Sequence, residues 1–536
     1  MNAANKEIRG SGAASQPGFR LSMAWLHTWT GLLLGWLLYF IFITGTAGYL
    51  DTEIDRWMQP ELPPSASQQD PLQTARAAQA ALERLSYSDS SVWYIDFPID
   101  RNKPYAKVWW QDEKGAWQDR NIDARRGEVL PARETAGGQL LYRMHWQLHY
   151  LPRTVGEWIV GLATLFMMLA LVTGIIVHKK IFKDFFTFRP GKGQRSWLDA
   201  HNLVSVLSLP FQLMITYSGL IFLMFTYMPL IIAAWYGPGP DGRKAFFDEA
   251  YSVTANMEAS GQAAELVALE TIVAQAQRRW GSAPISSLEV KHPNDAGARV
   301  IVHGDSAAGP IRSAGKLVFD GVSGELLRAR DAPESVGRST RDLLLGLHEG
   351  LFAGPVLRAL YVLSGLLGAA MIASGLILWT VKRRQRIEKA RQAPHGGLRL
   401  VEKLNVASIV GLPVAIAAYF WGNRLLPLEL GDRAQWEAHI LFLTWLALFL
   451  HAGCRSGGRA WREQLWLGVA AFGLLPLVNA LTSERHLAVS LPAGDWVMAG
   501  FDLAMLTIAA VFAAVAWLMH RKARAALIPA LEPAKS

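Results

Sequence analysis

Apolar residues along this chain fall into eight runs, separated by segments rich in charged residues, glycine and proline. A helix needs about 20 mostly apolar residues to cross a bilayer, and most of the runs approach or exceed that length. The runs lie near residues 24–49, 156–178, 201–235, 357–381, 404–421, 437–453, 465–481 and 497–519. The pattern predicts a polytopic α-helical membrane protein with about eight transmembrane helices.

Two long polar stretches, 51–150 and 236–350, separate the first four runs. Each contains a segment with helical periodicity, "PLQTARAAQAALERL" in the first and "AAELVALETIVAQAQRRW" in the second, followed by short stretches that alternate apolar and polar residues. Each stretch is therefore predicted to fold as a small α+β domain, with a helix packed on an antiparallel sheet.

The two polar stretches also share a turn motif. Asp123 and Gly127 stand four apart in "IDARRGEVL", and Asp320 and Gly324 stand four apart in "VFDGVSGELL". Glycine suits the positive-φ position of a hairpin turn, so each motif predicts a hairpin.

The membrane segments repeat as well. His27 lies 18 residues before Gly45, and His201 lies 18 residues before Gly219, so the first run aligns with the third. The second and fourth runs align through the similar endings "LVTGIIVHKK" and "IASGLILWTVKRR". The chain up to about residue 385 is therefore predicted to be an internal duplication of helix, polar domain, helix.

Composition agrees with a membrane protein, and the distribution of charge predicts how the helices are oriented in the membrane. The chain has 536 residues, of which 51% are hydrophobic and 18% charged, and its net charge is +9. The basic residues cluster beside apolar runs and on one side of the predicted helices, which indicates membrane topology and argues against nucleic-acid binding. That side is predicted to be cytoplasmic, together with both termini. The first run is too long for a cleaved signal segment and is predicted to be an anchor.

These patterns divide the chain into six parts. They are an N-terminal tail and first helix (1–50), a first extracytoplasmic domain (51–150), the second and third helices with a basic cytoplasmic loop (151–235), a second extracytoplasmic domain (236–350), the fourth helix (351–385) and a C-terminal extension of four helices with a basic tail (386–536).

Four histidines occupy equivalent positions in the two copies. His27 and His201 begin equivalent helices, and His149 and His348 precede the other equivalent helices, in "QLHYLP" and "GLHEGLFAGP". A parallel repeat places equivalent residues across a pseudo-twofold axis, which predicts two histidine pairs stacked across the bilayer. Two imidazoles without a neighbouring acidic or thiol side chain suit haem iron. Cys454 is the single cysteine, which excludes covalent CxxCH attachment.

Two further histidines are alternative ligands. His145 lies four residues before His149, one turn away if this stretch is helical, and is either the true ligand or a group nearer an electron acceptor. His178 ends the second run on the basic side and competes with His27 and His201.

Small residues also bear on a haem site. Gly31 and Gly35 follow His27 at intervals of four, on one face of a helix. Their lack of side chains would leave room for a porphyrin, and it would equally allow close helix packing.

In these histidines and repeated motifs, the chain resembles the PepSY-associated transmembrane helix family of bacterial inner-membrane proteins over residues 20–385. The run "HKKIFKDFFTFRPGKGQRSWLDAHNLVSVLSLPFQLMITYSGL" resembles its longer, iron-regulated members. For the siderophore-reductase members, the resemblance implies PepSY-like outer domains and b-type haems that carry electrons outward to ferric siderophores. The residues implied as haem ligands are His27, His149, His201 and His348, with His145 and His178 as alternates. The chain departs from the family pattern at Gln212, where a histidine is expected, and in its four additional helices.

The functional expectation is therefore a transmembrane ferric-chelate reductase with two b-type haems, placed in the bacterial inner membrane and surrounded by lipid. No GxGxxG motif follows a predicted strand, so the electron donor is expected to be a quinol or another protein. Catalytic residues other than the ligands are not assigned. Two alternatives remain, a membrane-anchored PepSY module that binds peptides or regulates a partner, and a permease for iron chelates. Helices 404–520 are expected to be dispensable for haem binding, because the matched histidines all precede residue 385.

Overall fold

A computed structural model describes residues 18–64, 69–86, 90–112, 114–178, 185, 187–251, 258–330 and 335–531. The N-terminal tail before residue 18 and the basic residues 179–184 of the predicted cytoplasmic loop lie outside the described residues. In chain order the elements are α1 (Phe19–Gly48), α2 (Asp51–Met58), α3 (Pro71–Leu85), β1 (Val92–Asp96), β2 (Ala106–Gln111), β3 (Trp117–Ile122), α4 (Gly137–Met144), α5 (Arg153–Val177), α6 (Gln194–Phe222), α7 (Met224–Tyr227), α8 (Pro229–Tyr236), α9 (Gly239–Tyr251), α10 (Leu269–Trp280), β4 (Ile285–Lys291), β5 (Arg299–Gly304), β6 (Lys316–Asp320), β7 (Leu326–Arg330), α11 (Val336–Glu349), α12 (Pro355–Lys389), α13 (Gly396–Ile409), α14 (Gly411–Leu425), α15 (Arg433–Cys454), α16 (Gly457–Gly473), α17 (Leu475–Thr482), α18 (Leu487–Ser490) and α19 (Trp496–Leu531).

Eight spans in the described residues are long and apolar enough to cross a membrane, which confirms the predicted polytopic helical architecture. Six are single helices, namely α1, α5, α6, α12, α15 and α19. The other two are each built from two consecutive helices, α13 with α14 and α16 with α17. Large apolar side chains are exposed on these spans, among them Leu165, Leu363 and Leu443, as expected for surfaces that face lipid.

The two polar stretches contribute to one continuous sheet. Its seven antiparallel strands run in the order β3-β2-β1-β4-β5-β6-β7, with α3 and α10 packed against each other. Strands β1 and β4 join the two halves, and Trp93 lies opposite Val290. Pairing these strands leaves neither half with an open edge at the junction, and open edges are prone to unwanted association. The helix and strands expected in each stretch are present, but the halves share one sheet.

The two predicted hairpin turns form with nearly the same geometry. Gly127 and Gly324 have φ of 69° and 73°, the left-handed region that glycine adopts without strain. Their backbone N–H groups donate to the carbonyls of Asp123 at 2.8 Å and Asp320 at 3.0 Å. The Asp–Gly spacing in the sequence therefore identified both turns correctly.

The first four membrane helices form the centre of the protein. Helix α1 packs against α5 and α12, and α6 packs against the same two helices. The short helices follow the same arrangement, since α4 lies on α1 and α11 lies on α6. We call the end of this bundle that carries the sheet the sheet end, and the end that carries residues 187–193 and 390–395 the loop end.

The C-terminal extension shares a hydrophobic core with the first half of the protein, including α2 and α4. Polar contacts reinforce this packing. Trp57 Nε1 on α2 donates to Asp502 Oδ1 at 3.0 Å, and the Tyr419 hydroxyl donates to the Gly137 carbonyl at the start of α4 at 2.7 Å. Helices 404–520 therefore support α2 and the start of α4. That they are dispensable for haem binding stays a prediction.

Candidate functional site

One pair of histidines lies near the loop end of the bundle. The rings of His27 on α1 and His201 on α6 have centroids 6.5 Å apart and planes inclined at 63°. Each ring is held by a neighbouring helix, because His27 Nδ1 lies 2.9 Å from the Ala170 carbonyl and His201 Nδ1 lies 3.0 Å from the Met371 carbonyl. The structure thus brings together the two residues that the repeat matched, and α5 and α12 orient them in the same way.

A hydroxyl and a glycine form the seat of each of these rings. The Thr173 and Ser374 hydroxyl oxygens lie 3.4 and 3.1 Å from the Nδ1 atoms of His27 and His201. The residues that follow are Gly174 and Gly375, where an added Cβ would stand 3.1 and 3.3 Å from the Cε1 atom of the adjacent ring. A side chain at either glycine would crowd the imidazole and push it a few tenths of an ångström away, so both glycines favour the close approach.

A second pair lies at the sheet end. His145, directly after α4, and His348 on α11 have ring centroids 6.4 Å apart and planes inclined at 18°. His145 Nδ1 lies 2.5 Å from the Tyr142 carbonyl, and His348 Nδ1 lies 2.9 Å from the Ser218 hydroxyl oxygen. We refer to His27 and His201 as the loop-end pair and to His145 and His348 as the sheet-end pair.

The sheet-end rings also rest on glycines. An added Cβ at Gly45 would stand 3.5 Å from the His145 ring, and one at Gly219 would stand 3.2 Å from His348 Cε1. The matched glycines of all four central helices therefore each face one imidazole. They make room for the imidazole rings, whereas the sequence pattern pointed to Gly31 and Gly35 as residues that leave room for a porphyrin or allow close helix packing.

The hydrogen bonds fix which nitrogen of each ring carries the proton. A carbonyl oxygen only accepts, so the Nδ1 atoms of His27, His201 and His145 must donate. The Ser218 hydroxyl donates to backbone carbonyls within α6 and thus accepts from His348 Nδ1. This tautomer leaves a lone pair on each Nε2, and among the described residues no group bonds to any of these four atoms.

The separation of the rings fits one metal ion between each pair. Metal–nitrogen bonds of about 2.0 Å, with each ring nitrogen about 1.2 Å from its ring centroid, place two opposed imidazole centroids about 6.4 Å apart. Within the described ranges, no group of three or more His, Cys, Asp or Glu side chains is arranged to hold a metal. Each pair could therefore offer two nitrogen atoms to a metal, which would suit a metal whose remaining positions are already filled.

Burial keeps the sheet-end rings neutral. It lowers the pKa of His145 to about 4 and, with a smaller contribution from His145 itself, lowers the pKa of His348 to about 3. Both imidazoles are therefore uncharged at neutral pH, the form that coordinates metals.

The structure differs from the prediction that His149 would pair with His348. Helix α4 ends at Met144, and Leu148 and Tyr150 adopt positive φ of 61° and 65°, so His145 and His149 do not share a helical face. The His149 ring instead stacks on Phe442 of α15, with centroids 5.5 Å apart and planes at 9°. The ring beside His348 belongs to His145, the residue that the sequence analysis kept as an alternate.

The other alternate, His178, lies close to the loop-end pair without joining it. Its Nε2 accepts a hydrogen bond from the Asn202 amide at 2.7 Å, so the nitrogen that a metal would need is engaged. Asn202 directly follows His201, and His178 therefore contributes to the surroundings of that ring.

Three more residues singled out in the sequence have defined roles. An added Cβ at Gly31 would meet nothing within 4 Å, whereas one at Gly35 would collide with Leu376 at 2.7 Å. Gly31 thus borders open space and Gly35 allows helix packing. Gln212 is fully buried and donates from Nε2 to the Ser364 carbonyl at 3.0 Å, which ties α6 to α12.

Hydroxyl groups that position the rings were not predicted from the sequence. Each seat glycine follows a Thr or Ser in the sequence, in "ITG", "VTG", "YSG" and "ASG". Three of these hydroxyls contact a histidine Nδ1, and the fourth, Thr44, donates to the Phe40 carbonyl within α1. A search for repeated dipeptides would have found this pattern.

Comparison with known proteins gives two matches. The family model described as "PepSY-associated TM region" matches residues 24–382, which end within α12 and leave the C-terminal extension outside. Uncharacterized protein PA4219 of Pseudomonas aeruginosa is 26% identical over 389 residues, which cover 70% of this chain and 93% of that protein.

Proposed function

This chain belongs to the PepSY-associated TM family, and on that premise we propose that it is a haem-containing membrane protein that carries electrons to a ferric chelate, such as a ferric siderophore. The observation that carries the proposal is the pair of matched imidazole sites, with ring centroids 6.5 and 6.4 Å apart. An anchor for a peptide-binding domain would need neither site, and a permease would need a polar path in place of opposed ligands.

The donor set fits b-type haem. Iron held in a porphyrin would need only two further ligands, and the two neutral imidazoles of each pair would supply them. We propose His27 and His201 as the ligands of one haem and His145 and His348 as the ligands of a second. When bound, haem supplies a reversible one-electron couple.

The protein's own groups prepare the ligands for this role. The carbonyls of Ala170, Met371 and Tyr142 accept the Nδ1 protons of three rings, and the Ser218 hydroxyl accepts the fourth. Such hydrogen bonds fix the tautomer, orient the ring and raise the basicity of the ligating nitrogen. The glycine beside each ring lets the ring lie close to a neighbouring helix, which limits its rotation.

The proposed direction of transfer follows from the charge pattern. Basic residues flank the loop end, which we place in the cytoplasm, and the sheet end then faces the periplasm across the bacterial inner membrane. The electron donor is a quinol or another protein. At the sheet end the chelated iron gains one electron, and Fe(II) is held less tightly than Fe(III) by hard oxygen ligands.

The two helix–domain–helix units that make up the chain to about residue 385 are proposed to descend from a duplication.

We expect the reduced protein to transfer electrons to an external ferric chelate. Purified protein in nanodiscs is reduced with half a mole of dithionite, one reducing equivalent, per haem and mixed anaerobically with ferric citrate in the presence of ferrozine. The Soret band should return to its oxidised position while Fe(II)–ferrozine forms in an equal amount.

Gallium(III) citrate is the control, because gallium accepts no electron under these conditions and should leave the protein reduced. Haem that remains reduced in the presence of ferric citrate, or that is reoxidised without formation of Fe(II), would contradict the proposed acceptor.

A further inference from the structure

A cleft of about 480 Å³ lies between the second half of the sheet and α11. Serines and glycine form part of its wall, including Ser286 and Gly304, and most of the remainder is basic. The cationic side chains that line it are Lys103, Arg312, Lys316, Arg330, Arg338 and Arg341. One carboxylate, Asp342, stands among them.

Some of this positive charge is balanced by ion pairs. Lys103 contacts Asp96 at 2.6 Å, Arg341 contacts Asp342 at 2.9 Å, and Arg312 contacts Glu349 at 2.8 Å. Asp96 and Glu349 lie outside the lining, so among the described residues the wall carries six cationic side chains and one carboxylate, Asp342. A concave wall of one sign concentrates counter-ions of the opposite sign.

Lys316 supports this view of the cleft. Burial lowers its pKa, and the attraction of Glu289 offsets only part of that effect. An anion that enters the cleft stabilises the charged form of this half-buried ammonium, because the anion replaces the hydration that burial removed.

The cleft is connected to the sheet-end pair through one aromatic ring. The Arg312 guanidinium carbon lies 5.9 Å from the centroid of Phe222, and the Phe222 ring lies 5.1 Å from that of His348. Helix α11 also carries Arg338 and Arg341 toward its beginning and His348 near its end. A ligand in the cleft is therefore separated from a proposed haem ligand by a guanidinium and a phenyl ring.

A second cavity, of about 510 Å³, shares Arg338 and Arg341 with the cleft. Its other walls include Tyr217, Ile221 and Leu344, which offer apolar surface. An anionic ligand with an organic body can thus place its charges and its apolar part in adjoining spaces.

We propose that this basic cleft is the binding site for the electron acceptor, and that the acceptor is an anionic iron(III) chelate whose ligands carry free or coordinated carboxylates. That the ligand is the electron acceptor rests on the proposed function. That the ligand is anionic follows from the charge and shape of the cleft. A neutral or cationic chelate would gain nothing from the six basic side chains.

The test is a binding measurement that needs no electron transfer. Calorimetric titration of the full chain in phosphatidylcholine nanodiscs uses gallium(III) citrate, an anionic and redox-inert analogue of ferric citrate. The cleft variant is Lys316→Gln with Arg338→Gln. The control variant, Arg120→Gln with Arg278→Gln, removes the same charge from exposed positions of the same domain.

The cleft variant should bind gallium citrate at least about tenfold more weakly, as expected for the loss of charged hydrogen-bond partners. The control should change by less than about twofold, since exposed charges at a distance are screened. The charge-retaining variant Lys316→Arg with Arg338→Lys should stay within about threefold of the original protein, which separates loss of charge from loss of folding. A neutral gallium trihydroxamate should bind all variants equally.

Equal weakening in the cleft and control variants, or none in the cleft variant, would overturn the proposal. If instead the cleft variant binds gallium citrate normally but retains less phosphatidylglycerol on purification, the cleft holds a lipid headgroup and the proposal is wrong. Because gallium is not reduced, these outcomes are independent of haem, so a failure of the electron-transfer function is recognised separately in the ferric citrate assay.

Discussion

His348→Ala is expected to remove one of the two proposed haems and leave the other in place. His348 and His145 face each other, with Nδ1 of each ring held by a hydrogen bond and Nε2 left for a metal. Loss of one axial imidazole leaves the iron five-coordinate or the site without haem, so about half of the bound haem should be lost or become high-spin. Haem content and low-spin absorption of the purified variant measure this directly.

His145→Ala should give the same spectrum as His348→Ala, and His149→Ala is the matched control. His149 stacks on Phe442 and lies against Tyr150, with ring centroids 4.2 Å apart, so its removal should leave both haems. Loss of a haem in His149→Ala, with both retained in His145→Ala, would show that the functional conformation of residues 145–151 differs from the one described.

Arg433→Ala should be strongly destabilising. Arg433 and Glu437 are fully buried and contact each other at 2.5 Å, and Arg433 also donates to the Glu134 carbonyl at 2.7 Å. Glu437 accepts hydrogen bonds from the Thr135 hydroxyl and the Ala136 amide, which fixes the segment leading into α4. Removal of one partner of a buried pair typically costs about 3–5 kcal/mol, because the remaining charge is left uncompensated.

Arg455→Ala provides a control at the opposite end of the same helix. Its partner Glu463 is 3.1 Å away and both side chains are substantially exposed, so the cost should be about 0–1 kcal/mol. The double variant Arg433→Met with Glu437→Leu should recover most of the lost stability, since it leaves no buried charge. Thermal unfolding in detergent distinguishes these variants. Equal melting temperatures for Arg433→Ala and Arg455→Ala would show that the buried pair does not secure the extension.

The membrane architecture could be predicted because it depends on local composition. The eight apolar runs correspond to eight spans in the described residues. The shorter runs, 404–421, 437–453 and 465–481, lie within longer spans that also include polar residues. Asn405 and Arg424 illustrate the reason, since both are buried and bonded to other parts of the protein. Such residues look like helix ends in a sequence because their partners lie far away along the chain.

The shared sheet and the choice of His145 could not be predicted from local patterns. The β1–β4 pairing joins strands almost 200 residues apart, and a paired edge carries no marker in either strand. The left-handed conformations of Leu148 and Tyr150 are imposed by packing, because neither residue type favours positive φ. The number of residues between a histidine and the next membrane helix would have identified the partner of His348 better than sequence similarity did. His145 lies eight residues before α5 and His348 seven before α12, whereas His149 lies only four before α5.

The seats of the four rings were partly visible in the sequence. The repeat pairs Gly45 with Gly219 and Gly174 with Gly375, and each of the four lies against an imidazole in the structure. The role of these glycines depends on which two helices pack together, and helix pairing is set by the packing of the whole bundle. The basic cleft was not visible, because its six cations come from several separate elements.

The haem content of the purified full-length protein tests the central claim most directly. A pyridine haemochrome spectrum of protein from haem-replete cells, referred to protein concentration by amino-acid analysis, should show b-type haem at about two per chain, one for each histidine pair. Protein that is folded and monodisperse but contains no haem would contradict the account.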